Sequence, residues 1–350
     1  MHAISWRYKI MRLIILLFVS FGLFAKAPKD VNLKNPPPRI IRTCCSFGVD
    51  VKVAGMPFIK YTEVTSPELI GEHKYLGSKA ENNGIIYTQL GGFIDMGHLR
   101  DIADFTAYLY LLIKEERHLG SFSLKLGNEG GMKTLNVQVP DNFTDEDIVH
   151  LAGKIAYDLS VWHEISTSYG ASFIPLVPER YSSFSVEDAY SNLLGVHLGM
   201  KSILSDGEYE TEMTANVKET LEGLKALSGK ESTIEAMNAV KDIWWSGKAK
   251  LPSRKVLIKR QFEVYDCVFP MLIDAEKIEK SEENKICVPN LSSANEPLND
   301  FYSLTIKANF KIPVEKVFGA HVKEKNVITQ LDFPLLIKYA EEATFKSTDQ

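Results

Sequence analysis

A change of hydrophobic period near Gly97 constrains this chain more than any other feature. Before it, GIIYTQLGGFID carries Ile85, Ile86 and Tyr87 in a run expected of a strand. After it, HLRDIADFTAYLYLLIKEER sets Leu99, Ile102, Ala103, Phe105, Leu109, Leu112 and Ile113 at helical spacing. Asp95 stands where an N-cap belongs, with His98 three residues on, and the helix is predicted to end near Arg117, before Gly120. A helix this long with one apolar stripe must bury it against other elements.

The rest of the chain supplies them. SFSLKLGNEGGMKTLNVQV alternates on both sides of Asn128-Glu129-Gly130-Gly131 and reads as a β-hairpin. Thr144, with Asp147 at the third helical position, starts a helix expected over about 145–168. Ser185 followed by Asp188 reads as another capping box opening SVEDAYSNLLGVHLGMKSIL. Further helices are expected over about 209–227 and 232–246, then short strands in RKVLIKRQFEVYDCVFPMLI and FYSLTIKANFKI. The fold class is therefore α+β: a mainly helical core with a β-hairpin insertion and short strands at both ends. The expected organisation is a signal peptide over 1–27, an extended lead-in over 28–45 in which Pro36-Pro37-Pro38 forbids helix, a single α+β domain over 46–340, and a flexible tail over 341–350.

The signal peptide is read from Arg7, Lys9 and Arg12, the apolar run Leu13–Phe24, and the small-x-small pattern Ala25-Lys26-Ala27. Removing it takes away four basic residues and no acidic ones, so the net charge moves from −5 to −9. That balance argues against nucleic acid as a partner, and no later stretch is apolar enough to span a bilayer. The expected location is the periplasm or the extracellular space. There the four cysteines, Cys44, Cys45, Cys267 and Cys287, are disulfide candidates. Adjacent Cys44 and Cys45 would close only a strained ring, so each is expected to pair with Cys267 or Cys287; buried free thiols are the alternative.

Three polar clusters fall on predicted helices. In GHLRDIAD, His98 and Asp101 are i, i+3 neighbours and Asp104 continues their line. The positive helix end favours neutral imidazole at His98, the form that takes a proton or binds a metal. The plainer reading has Asp95 capping, Asp101 paired with a nearby base, and His98 hydrogen-bonded in a wall. In WHEISTSYG, His163-Glu164 resembles a zinc helix, but Thr167 stands where H-E-x-x-H needs its second histidine. His163 could then be a helix C-terminal cap, or a base or ligand with Glu164 orienting it. In FSVEDAYSNLLG, Glu187/Ser191 and Asp188/Asn192 are i, i+4 polar pairs; capping accounts for Ser185 and Asp188 but not for Asn192. There is no G-x-S-x-G elbow, no P-loop and no G-x-G-x-x-G after a strand, and Trp244-Trp245 reads first as core.

RTCCSFG, GGFIDMGHLRDIADFTAYLY, LGNEGGMKTL, WHEISTSYG and SFSVEDAYSNLLG, in this order, resemble the bacterial domain-of-unknown-function 4056 family over roughly residues 40–280. The resemblance implies an exported envelope protein and a single unit, and it transfers no catalytic residue. Two functions are carried forward. One is an exported hydrolase: His98 and His163 as ligands or bases, Asp101, Glu164 and Glu187 as ligands, acids or orienters, and Asn192 polarising the substrate. His98, His163 and Glu187 would then be the set for a divalent metal such as zinc, and the compartment suggests an envelope polymer or lipid as substrate. The other is a non-catalytic periplasmic binding or structural protein, with the clusters as hydrogen-bonded core networks. An open cleft shared by His98, His163 and Glu187 would favour the first; scattered or sealed residues would favour the second.

Overall fold

A computed structural model of the chain describes residues 26–348 apart from 39–40, 43–45, 55, 61, 173–178, 274–283 and 320–325. In chain order the strands and helices are β1 (Lys52–Val53), β2 (Met56–Lys60), β3 (Ile85–Thr88), β4 (Gly92–Asp95), α1 (Met96–Glu116), β5 (Ser121–Lys125), β6 (Gly131–Gln138), α2 (Asp145–Ser168), α3 (Asp188–Leu204), α4 (Tyr209–Gly223), α5 (Lys230–Ala239), β7 (Cys267–Val268), β8 (Ile286–Cys287), β9 (Tyr302–Ala308), α6 (Val314–Phe318), β10 (Val327–Ile328) and α7 (Phe333–Thr348). The class is α+β, as the sequence pattern implies. No described helix is long and apolar enough to cross a membrane.

The period change is realised at one residue. Asp95 ends β4, and its Oδ1 accepts from the backbone N–H of Gly97 at 2.7 Å and of His98 at 3.1 Å, which caps α1. The Thr144–Asp147 capping box that starts α2 is present in both directions. α1, α2 and α3 pack on one another and make the centre of the core, with Leu99, Ala103, Ala107, Ile155, Ala156, Leu193 and Val196 buried between them. α3 approaches α1 through Gly195 and Gly199: a Cβ at Gly195 would strike the Leu99 carbonyl, and one at Gly199 would sit 3.0 Å from Ala103 backbone.

The expected hairpin is present, and β9 and β10 extend it into one antiparallel sheet of order β10-β9-β6-β5, with Leu135 opposite Leu304. Three sequence expectations change. Ser185 does not cap α3: its hydroxyl donates to Glu187 Oε2 at 2.5 Å, and the helix starts at Asp188 without a side-chain cap. The expected 232–246 helix stops at Ala239, and Trp244 and Trp245 lie beyond it, buried in a second apolar cluster with Phe47 and Phe93. Finally, Cys267 and Cys287 face each other across the β7–β8 pair and are bonded to each other, so neither staples the N-terminal segment. Cys44 and Cys45, like the signal segment up to residue 25, lie outside the described residues.

Candidate functional site

The hairpin turn is pressed onto the C-terminal half of α2. Gly130 takes φ +67°, and a side chain there would meet Ser166 and Trp162 within 2.8 Å. Trp162 Nε1 donates to the Glu129 carbonyl at 2.8 Å, which fixes the turn directly over His163. Glu129 Oε1 then lies 2.6 Å from His163 Nδ1, and Glu129 Oε2 lies 3.1 Å from Lys133 Nζ. On the opposite side, His98 Nδ1 lies 2.8 Å from Asp188 Oδ1, a contact made where the first turns of α1 and α3 meet.

Both histidines line one cleft of about 90 Å³. Its other walls come from Asp101, Ile102 and Phe105 on α1, Leu159 and Ser160 on α2, Asn192 on α3, Leu126, Glu129 and Lys133 on the hairpin, and Pro37 of the lead-in. Space of that size holds a few water molecules or one functional group of a larger molecule. The histidine side chains keep 14 % (His98) and 21 % (His163) of their surface exposed, whereas their carboxylate partners keep 5 % (Asp188) and 9 % (Glu129). Glu129 hydrogen-bonds His163 Nδ1 and so fixes that ring, whereas Asp188 stands at ion-pair distance from His98 Nδ1. The cleft thus brings two imidazoles, one ammonium and one amide together among apolar walls.

Of the six residues selected from the sequence, His98, Asp101, His163 and Asn192 line this cleft. Asp101 is also a structural anchor: its Oδ1 accepts from Arg42 Nη1 at 2.9 Å, and its Oδ2 from the N–H groups of Ile41 and Arg42 at 3.3 Å each. Burial raises its carboxyl to about 6, against the pull of Arg42. Glu164 and Glu187 do not line the cleft. Glu164 is buried and accepts from the Phe184 N–H at 2.5 Å; burial and the charge of Asp188 raise it to about 7. Glu187 is sealed against Ser185, and burial and the same Asp188 hold its carboxyl well above the usual range. Asp95 is likewise raised by burial beside Asp188. These acids form a buried layer behind His98.

Among the described residues, no group of three or more His, Cys, Asp or Glu side chains is placed to hold a metal ion. His98, His163 and Glu187 are not such a group, because Glu187 is sealed in the core against Ser185 and lines no part of the cleft. Asp188, Glu129, Lys133 and Pro37 were not selected from the sequence as site residues. Asp188 reads as a helix cap, and Glu129 as a turn residue. The i, i+4 spacing of Glu129 and Lys133 is the one local signal that pairs them, and it says nothing of His163.

No curated protein and no solved structure matches the chain. A family model described as "Protein of unknown function (DUF4056)" matches residues 32–274, a span that holds every residue of the cleft. With well over half of its length matched, the chain belongs to the DUF4056 family of proteins of unknown function.

Proposed function

We propose that the protein is an exported hydrolase whose two carboxylate-anchored histidines act as a general acid–base pair on one scissile group. The single observation that supports this is the sharing of one cleft by His98 on Asp188 and His163 on Glu129. Within that reading, Nε2 of one histidine takes a proton from water as its oxygen attacks the electrophilic centre. The other, protonated, gives a proton to the departing oxygen or nitrogen as the old bond breaks. Asp188 and Glu129 stabilise whichever imidazolium forms, and Lys133 and Asn192 supply donors for charge developing on the substrate. A cleft of about 90 Å³ admits the scissile group and a water, with the remainder of an envelope polymer or lipid outside. Export to the periplasm or beyond rests on the leader sequence, and the substrate class on that compartment.

The test is hydrolysis of ester, phosphodiester, amide and glycoside reporters by the mature chain, with His98→Ala and His163→Ala beside it. The reading expects turnover of one class, lowered by about 10²-fold or more in each variant with the fold intact. Turnover equal in both variants and wild type, or none on any class, would return the chain to the non-catalytic reading.

A further inference from the structure

The histidine cleft, at about 90 Å³, holds a scissile group but not a polymer. A larger space lies against it. A groove of about 460 Å³ has Pro37, Leu126, Glu129 and Lys133 in common with the cleft. That volume falls within the roughly 300–1,000 Å³ of sites that enclose drug-sized ligands. Its further walls include Pro36, Pro38, Asn128, Asn309 and Lys311.

The polar walls are held by backbone bonds. In the hairpin, Leu126 N–H donates to the Lys133 carbonyl at 3.0 Å and Lys133 N–H to the Gly127 carbonyl at 2.9 Å. The turn after β9 is tied to that hairpin, because Asn309 N–H donates to the Gly130 carbonyl at 3.0 Å. Asn309 Oδ1 then accepts from Lys311 N–H at 3.0 Å, and Lys311 Nζ donates to the Gly170 carbonyl at 2.8 Å, just past the end of α2. A neutral carbonyl fixes that ammonium without cancelling its charge. The Lys133 ammonium instead faces the Glu129 carboxylate at 3.1 Å. The charges on the described walls, Glu129, Lys133 and Lys311, thus sum to one positive charge, in a chain whose net charge is −5. Such a spot draws an anionic group.

The walls also discriminate between kinds of chain. Acyl tails need a continuous apolar lining, which two amides and two ammoniums interrupt. Extended peptides are gripped by pairing their backbone with a wall, and Pro36, Pro37 and Pro38 have no N–H to pair. Sugar rings suit what is present. Their hydroxyls bond to amides such as Asn128 and Asn309, and their C–H faces pack on flat apolar rings. Those rings are the three prolines and Phe310, which stands between Asn309 and Lys311 and exposes 93 % of its surface.

We propose that the groove is a subsite for an acidic glycan, with a carboxylate of the sugar chain on Lys311 and the scissile linkage carried to the histidine cleft. The placement of the linkage rests on the hydrolase reading; the affinity of the groove for the glycan does not.

The experiment is isothermal titration calorimetry of the mature, oxidised protein with tetragalacturonate, with neutral maltotetraose and with tetraglutamate. Wild type is compared with Lys311→Met, Lys311→Arg, Phe310→Ala and the double variant His98→Ala with His163→Ala, each checked by thermal melting. Tetragalacturonate is expected to bind about tenfold or more tighter than either other probe, an advantage that shrinks with added salt. Lys311→Met should remove most of that advantage and Lys311→Arg should keep it. Phe310→Ala, at an exposed position that the fold does not need, should weaken both sugars. The double histidine variant should bind tetragalacturonate nearly as wild type does. Equal affinity for the acidic and neutral sugars overturns the proposal, as does tetraglutamate bound as tightly as tetragalacturonate. So does tetragalacturonate affinity within about twofold of wild type in both Lys311→Met and Phe310→Ala, or no binding of any probe at millimolar concentration. Tight glycan binding without turnover of any reporter would keep the groove and sink the hydrolase; reporter turnover lost in the histidine variants, without glycan binding, would do the reverse.

Discussion

Asp188 Oδ1 sits 2.8 Å from His98 Nδ1, and the same carboxylate, after burial, helps hold Asp95, Glu164 and Glu187 above the ordinary carboxylate range. One residue therefore faces a cleft histidine and adds its charge to the burial that raises the acids behind it. Asp188→Asn keeps the shape and removes the charge. The amide presents either its oxygen or its NH2 to Nδ1 and no longer stabilises an imidazolium. Turnover on the reporter found for wild type is expected to fall by about 10²-fold or more, with thermal stability kept or raised. Unchanged turnover would show that His98 needs no anion behind it.

Stability should vary with pH in a defined direction. Glu164 moves on folding from 4.5 to about 7 through burial and Asp188, and Asp101 from 3.8 to about 6 through burial. Between those values the folded chain binds more protons than the unfolded one. The stability they confer is full below the unfolded pKa values and is lost as pH rises through 6 and then 7. Glu81 works the other way: burial raises it, but the hydrogen bond and charge of Arg42 outweigh burial and bring it to about 2, so its contribution is lost as pH falls toward that value. Urea midpoints should therefore peak near pH 4–5 and decline toward neutrality, by an amount on the order of a few kcal/mol at about 1.4 kcal/mol per unit. Asp188→Asn should flatten the neutral limb. A midpoint that rises steadily from pH 5 to 8 would contradict the burial of Glu164.

The parts of this arrangement that a sequence shows are those written in short-range periods. Asp95 before the helical stripe and Thr144 with Asp147 mark helix starts because caps act on backbone N–H groups two or three residues away. The histidines stood out because polar groups beside Ile, Phe and Leu on a buried helix face need a reason. What stayed hidden is long-range. Asp188 lies ninety positions from His98 and Glu129 thirty-four from His163, and only the packing of α3 and of the hairpin turn joins them. Ser185 has the pattern of a cap but finds a competing partner two residues on, in Glu187. The cysteine pairing is long-range in the same sense: β7 and β8 place Cys267 opposite Cys287, which spacing along the chain does not reveal.

Glu129 serves two partners at once, His163 through Oε1 and Lys133 through Oε2. Glu129→Gln leaves the nearly buried Lys133 ammonium with only a neutral acceptor, which should cost about 1–3 kcal/mol. Lys133→Met beside Glu129→Gln should recover part of that cost. A double-mutant cycle on urea stability is expected to give a coupling of about 1 kcal/mol or more, and additive losses would mean the pair is not formed.

The disulfide correction is open to direct chemistry. A non-reducing peptide map of the oxidised protein should contain one linked species joining the Cys267 and Cys287 peptides. Closing a loop of sequence separation 20 restricts the unfolded chain, so Cys267→Ser with Cys287→Ser should lower stability by about 2–4 kcal/mol. His197 Nε2 lies 2.7 Å from the Cys287 carbonyl, and Tyr190 donates to the Asn284 carbonyl at 2.9 Å, so β8 is already tied to α3 without the bond. Those ties predict that the double variant still folds. A linked species joining either peptide to the Cys44-Cys45 peptide would restore the N-terminal staple and contradict the β7–β8 pairing.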